Sequence, residues 1–148
     1  MKHVFLLAGI VIMASCKSHH QNATLTKDEM VQIVMNCDKQ FSVGVQTKDS
    51  LLLTNIYSDS AQYVMPNKEI LLGKKEIGKE WAGFLRMKEN PIDIILIPKE
   101  VRGNREIIYE TGRGYTLLAN SNKWYFNYVN VWRVQRDGTY KLEIDTYN

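Results

Sequence analysis

Trp124-Tyr125-Phe126-Asn127-Tyr128-Val129-Asn130-Val131-Trp132-Arg133-Val134-Gln135 runs into Arg136-Asp137-Gly138-Thr139 and then into Tyr140-Lys141-Leu142-Glu143-Ile144-Asp145-Thr146-Tyr147. Aromatic and β-branched residues dominate both flanks, and Asp137-Gly138 is a tight-hairpin turn. The two flanks therefore read as long antiparallel strands. With a period of two, Trp124, Phe126, Tyr128, Asn130, Trp132 and Val134 share one face of the first strand. Tyr125, Asn127, Val129, Val131 and Arg133 share the other. Neither face is plainly polar, so both are expected to be covered, one by helices and one by a partner.

Upstream, the same period predicts strands over Ile92–Val101 and Arg105–Leu118, joined through Gly103-Asn104 and Asn120-Ser121-Asn122. Together with Trp124–Gln135 and Tyr140–Tyr147 they form an antiparallel meander. Strands this long must bend, and Gly112 and Gly114 are the expected place for a bulge.

Before Ile92 the pattern is helical. Thr26-Lys27-Asp28-Glu29 is a capping box, followed by apolar residues at Met30, Ile33, Val34, Cys37, Phe41 and Val45. Asp49 is an N-cap for a second helix that buries Leu52, Leu53, Ile56 and Tyr57 and ends at Ser58-Asp59-Ser60. Ala61 to Pro66 reads as a short strand closed by proline. Gly73 opens a third helix carrying Ile77, Trp81, Phe84 and Leu85. Helices first and a meander after them make an α+β domain.

The chain has 148 residues, 45% hydrophobic and 24% charged, which suits one globular domain and excludes a disordered chain. Nineteen Lys and Arg against sixteen Asp and Glu give a net charge of +3, too small and too dispersed to suggest a nucleic-acid partner. Two cysteines exclude a disulfide framework and a cysteine-cluster metal site.

Met1-Lys2-His3 followed by the apolar run Val4 to Ala14 is the n-region and h-region of a signal peptide, short of the ~20 residues of a spanning helix. Its end, Met13-Ala14-Ser15-Cys16, resembles a bacterial lipoprotein signal, which implies cleavage after Ser15 and lipid attachment at Cys16. The expected organisation is signal peptide 1–15, polar tether 16–24 and folded domain 25–148. The expected location is the bacterial cell envelope, lipid-anchored, at the outer membrane facing the periplasm. His19 and His20 sit in the tether without converging further ligands, so no metal site is expected there.

Chemistry-bearing motifs are few. The sequence has no Gly-x-Ser-x-Gly elbow, no His-Glu-x-x-His and no phosphate loop, and beyond His20 it has no histidine. Acid–base work would fall to Asp, Glu, Tyr or Lys. No cofactor is implied.

The order of elements resembles the nuclear transport factor 2-like superfamily, which includes ketosteroid isomerase and SnoaL-like proteins. The resemblance rests on Lys48-Asp49-Ser50, Ile56-Tyr57-Ser58-Asp59-Ser60-Ala61, Gly73-Lys74-Lys75-Glu76-Ile77 with Trp81, Tyr109-Glu110-Thr111-Gly112, and Val131 to Leu142. It spans Thr26 to Asn148. It implies three N-terminal helices packed in the concave face of a strongly bent antiparallel sheet, a cystatin-like cone with a cavity for a small apolar ligand. It also implies a homodimer through the outer face of the sheet. Ketosteroid isomerase uses a carboxylate base and two oxyanion donors, a tyrosine and a protonated aspartate. Alignment places these on Met65, Phe41 and Asn130, so the isomerase set is absent and a cavity without a general base is expected.

The candidate pocket-lining residues are Phe41, Tyr63, Met65, Trp81, Tyr115, Tyr128, Asn130 and Trp132. Each aromatic also suits a core position. The Asn130 amide either bonds a neighbouring element or offers a ligand donor at the pocket floor. Asp145, alternating with Leu142 and Ile144, is expected to face solvent. Two functions follow. One is a membrane-tethered cone that binds a small molecule or a partner without catalysis. The other is an isomerase, hydratase or cyclase with a different acid–base pair. A carboxylate buried within ~3.2 Å of Asn130 or of a pocket tyrosine favours the second.

Overall fold

The structure, a computed structural model, describes residues 24–148. The expected signal peptide, the expected lipid-attachment residue Cys16, and His19 and His20 of the expected tether lie outside the described residues. Helix α1 spans Lys27–Gln46, α2 Ser50–Asn55 and α3 Lys74–Phe84. The strands are β1 Tyr57–Val64, β2 Leu71–Leu72, β3 Pro91–Gly103, β4 Ile107–Leu118, β5 Lys123–Val134 and β6 Tyr140–Tyr147. They form one sheet in the order β2-β1-β6-β5-β4-β3. The fold is α+β, with helices packed on a curved, unclosed sheet.

The capping box is present: Thr26 Oγ1 accepts from the Glu29 amide, while the Glu29 carboxylate accepts from the Thr26 amide at 2.7 Å. The helix it starts buries Met30, Val34, Cys37, Phe41 and Val45 and packs against β3. Asp49 caps α2 by accepting from the amides of Leu51 and Leu52.

The second helix is shorter than its apolar spacing predicts. Ile56 is its C-cap, and Tyr57 already belongs to β1, which pairs in parallel with β6. Ile56 and Tyr57 are buried, but Tyr57 is buried as a strand residue. Apolar spacing alone does not separate the end of a short helix from the start of a buried strand.

The bend arises differently from expectation. Register between β4 and β5 runs unbroken through Gly112 and Gly114, while the bulge lies on β3, where Pro98 faces Gly112 and Glu100 faces Thr111. The glycines make room instead. A Cβ on Gly112 would sit 2.5 Å from the Tyr128 hydroxyl, and one on Gly114 2.7 Å from the Phe126 ring. Both rings thus lean across β4 toward the concave side.

A second irregularity decides the site. Val131 faces Ile144, yet Trp132 faces Leu142, so Glu143 is an extra residue on β6. This bulge resets the alternation, and Leu142 and Asp145 are both buried. The expectation that Asp145 faces solvent is therefore corrected. It assumed unbroken alternation, which one extra residue inverts.

Candidate functional site

Four strands present one row of side chains on the concave face. In register, Glu110 on β4 faces Asn130 on β5, Asn130 faces Asp145 on β6, and Asp145 faces Tyr63 on β1. Glu110, Asn130 and Asp145 are 0%, 2% and 7% exposed. Polar side chains this deep cost free energy unless partnered.

Each finds a partner. The Tyr57 hydroxyl lies 2.5 Å from Asp145 Oδ2, and the Trp81 indole N–H donates to the same hydroxyl at 3.1 Å. The Asn130 Nδ2 and Trp132 Nε1 groups both donate to Glu110 Oε1, at 3.1 and 3.3 Å. Asp38, from α1, is buried against Glu110. Among the described residues, the buried side-chain atoms without a conventional partner are both Asp38 oxygens, Glu110 Oε2, Tyr128 Oη and Asn130 Oδ1. Asp38, Glu110, Tyr128 and Asn130 form one cluster, linked by the electrostatic and hydrogen-bond couplings among their side chains. A proton on one carboxyl of the Asp38–Glu110 pair would supply a hydrogen bond between them.

The electrostatics agree with that sharing. Burial, then the Glu110 charge, pushes the Asp38 carboxyl up to about 9. Burial also raises Glu110, opposed by the hydrogen bonds it accepts. Burial pushes Asp145 up to about 7, against the lowering effect of the Tyr57 hydroxyl. Asp145 is thus poised to gain or lose a proton near neutral pH.

A cavity of about 380 Å³ opens over this row. Asp145 and Asn130 lie on its wall together with Phe41, Tyr63, Trp81 and Tyr128. The rings interlock: Tyr63 stacks on Trp81 at 6.3 Å, and Trp81 meets Phe84 edge-on at 5.3 Å. Tyr147 bridges Tyr63 and Phe126 at 5.9 and 5.7 Å. Lys68, with its side chain 54% exposed, pairs with Glu80 at 2.6 Å on the solvent side.

No protein-family model matches the chain, and no curated protein matches it. Solved structures do. An NTF2-like protein with a cystatin-like fold from Novosphingobium aromaticivorans superposes with a TM-score of 0.68 at 10% identity, covering 80% of each chain. An NTF2-like protein from Cytophaga hutchinsonii gives 0.64 at 15% identity, over 80% of this chain and 96% of that one. A domain of unknown function with a cystatin-like fold from Nostoc punctiforme gives 0.71 at 12% identity, over 83% of this chain and 78% of that one. This is the nuclear transport factor 2-like fold. The cone cavity of that fold is where Asp145 and Asn130 meet.

Within the cone, the residues singled out from sequence fall into three groups. Phe41, Tyr63, Trp81, Tyr128 and Asn130 converge on the cavity wall. Met65 and Trp132 are buried in the core and are not on that wall. Tyr115 is on the opposite, convex face of β4, its ring 5.7 Å from Tyr125 and under the Lys123 ammonium. Its alternation partners Gly114 and Thr116 point inward, so Tyr115 cannot.

The cavity expected to lack a general base carries the Asp145 carboxyl on its wall, a residue hidden from sequence reading by the β6 bulge. Asp38 was equally hidden, since one acidic residue on an amphipathic helix reads as solvated. Glu110 had a signal. It alternates with Ile108 and Gly112 on the inward face of β4, opposite Asn130.

Proposed function

We propose that this domain takes a small, largely apolar molecule into the cone and that Asp145 exchanges a proton with it, as an isomerase, hydratase or cyclase does. The single observation carrying this reading is Asp145 itself, on the cavity wall and hydrogen-bonded to Tyr57 at 2.5 Å. With its carboxyl at about 7, it is present at neutral pH in both forms, acid and base. The aromatic wall excludes water and orients an apolar skeleton, and the Tyr57–Trp81 chain holds the carboxylate in place. The 3.1 Å contact between Glu110 and Asn130 supplies the second buried carboxylate that favours an enzyme over a passive cone.

A non-catalytic carrier is the second reading, and one observation favours it. One Asn130 amide hydrogen goes to Glu110, so that donor is engaged within the protein and is not aimed at a developing oxyanion. A mass-spectrometric screen of small cyclic alkenes, alcohols, ketones and amines, comparing the wild type with Asp145→Asn, separates the readings. Conversion lost in Asp145→Asn supports catalysis. Ligand uptake with no conversion by either protein supports the carrier.

We further propose that Cys16 carries a lipid anchor in the bacterial cell envelope, at the periplasmic side of the outer membrane. The chain also pairs with a second copy through the convex sheet face, where Tyr125 is 67% and Ile97 55% exposed.

A further inference from the structure

The cavity's charge is one-sided. Asp145 stands on its wall, and behind it lie the buried carboxyl groups of Asp38 and Glu110. Among the described residues, the one basic side chain on the wall is Lys68, which faces solvent and is neutralised by Glu80. An anion entering the cone would meet buried carboxylates with no compensating cation, a costly arrangement. A cation would meet the reverse. The rings of Tyr63, Trp81, Phe84 and Tyr147 lie together on the cavity wall, and the face of an aromatic ring attracts positive charge within about 6 Å of its centroid.

We propose that the ligand class of this cavity is an organic monocation: an apolar amine whose carbon skeleton lies on the aromatic wall and whose ammonium points to the Asp145 carboxylate. This rests on the reading that the cone takes a small molecule, and it deepens that reading by choosing the charge. Neutral alcohols of the same skeleton fill the same space without the ion pair. Carboxylates of the same skeleton are repelled. The groups facing Asp145 are Tyr57 and Tyr63 from β1, Tyr147 from β6, Asn130 from β5, Glu110 from β4 and Asp38 from α1. None of them is basic, so an ammonium has no intramolecular competitor. Asp145 ionises near pH 7, and amine affinity therefore rises with pH between 6 and 8.

The test is calorimetric titration of the protein with three matched probes: 2-cyclohexylethylamine, 2-cyclohexylethanol and cyclohexylacetate. The amine is expected to bind at least tenfold more tightly than the alcohol at pH 8, with no detectable binding of the carboxylate. Asp145→Asn, which keeps the shape but not the charge, should bring amine affinity down to that of the alcohol. Alcohol or carboxylate binding as tight as the amine overturns the choice of charge while leaving cavity occupancy standing. Absence of binding by all three probes overturns both. An amine preference that persists in Asp145→Asn overturns the assignment to this carboxylate.

Discussion

The Tyr57 hydroxyl lies 2.5 Å from Asp145 Oδ2, joining β1, the first strand of the sheet in chain order, to β6, the last. Sequence separation could hardly be larger, yet β1 and β6 are parallel neighbours and Tyr63 pairs directly with Asp145. The contact places a buried carboxyl of the cavity wall where β1 and β6 pair. Both elements must be in place before it exists, so the site reports the completed fold.

Stability should fall as pH rises. Asp145 and Asp38 have folded-state values of about 7 and about 9, well above the ordinary 3.8, so the folded protein holds protons the unfolded chain has lost. Their contribution is fully present below pH 4 and is lost as pH climbs through 7 and then 9. Thermal unfolding is expected to give a higher Tm at pH 5.5 than at pH 9. Asp38→Asn should flatten the upper part of that slope; a Tm that increases from pH 5.5 to 9 contradicts the assignment.

Asn130→Leu removes the amide that donates to Glu110 at 3.1 Å and leaves a buried carboxylate short of one partner. A loss of about 1–3 kcal/mol is expected in denaturant unfolding. If Asn130 serves only a ligand, the variant unfolds like the wild type.

Much of this domain is legible in its sequence, and the failures share one cause. Thr26, Glu29, Asp49 and the Asp137-Gly138 turn act through local chemistry, which the sequence carries in full. Alternation sends Asp145 to the wrong face because it is a rule about neighbours, whereas the Glu143 bulge is imposed by pairing with β5. Gly112 and Gly114 stand out within a strand, but their reason is the space needed by Tyr128 and Phe126 on another strand. Asp38 and Glu110 meet across α1 and β4, a pairing that no local pattern encodes.

Dimerisation through the convex face predicts a concentration-dependent sedimentation coefficient for the protein at micromolar concentration. Val129, 40% exposed, is on the face of β5 opposite the buried row. Val129→Glu should give a monomer with unchanged Tm. A wild type that remains monomeric at every concentration removes the dimer from the account.

Lipid attachment at Cys16 predicts that Cys16→Ser abolishes incorporation of labelled fatty acid and moves the protein to the soluble fraction. Retained label in that variant contradicts the assignment.

The central claim is that Asp145 is a cavity carboxyl that exchanges its proton near neutrality. Carbon-13 NMR titration of aspartate-labelled protein, with the Asp145 carboxyl assigned by its absence from Asp145→Asn, measures this directly. The account predicts a midpoint near pH 7 that moves down in Glu110→Gln, because the neighbouring negative charge is gone. A midpoint near the ordinary aspartate value, unmoved by Glu110→Gln, would contradict it.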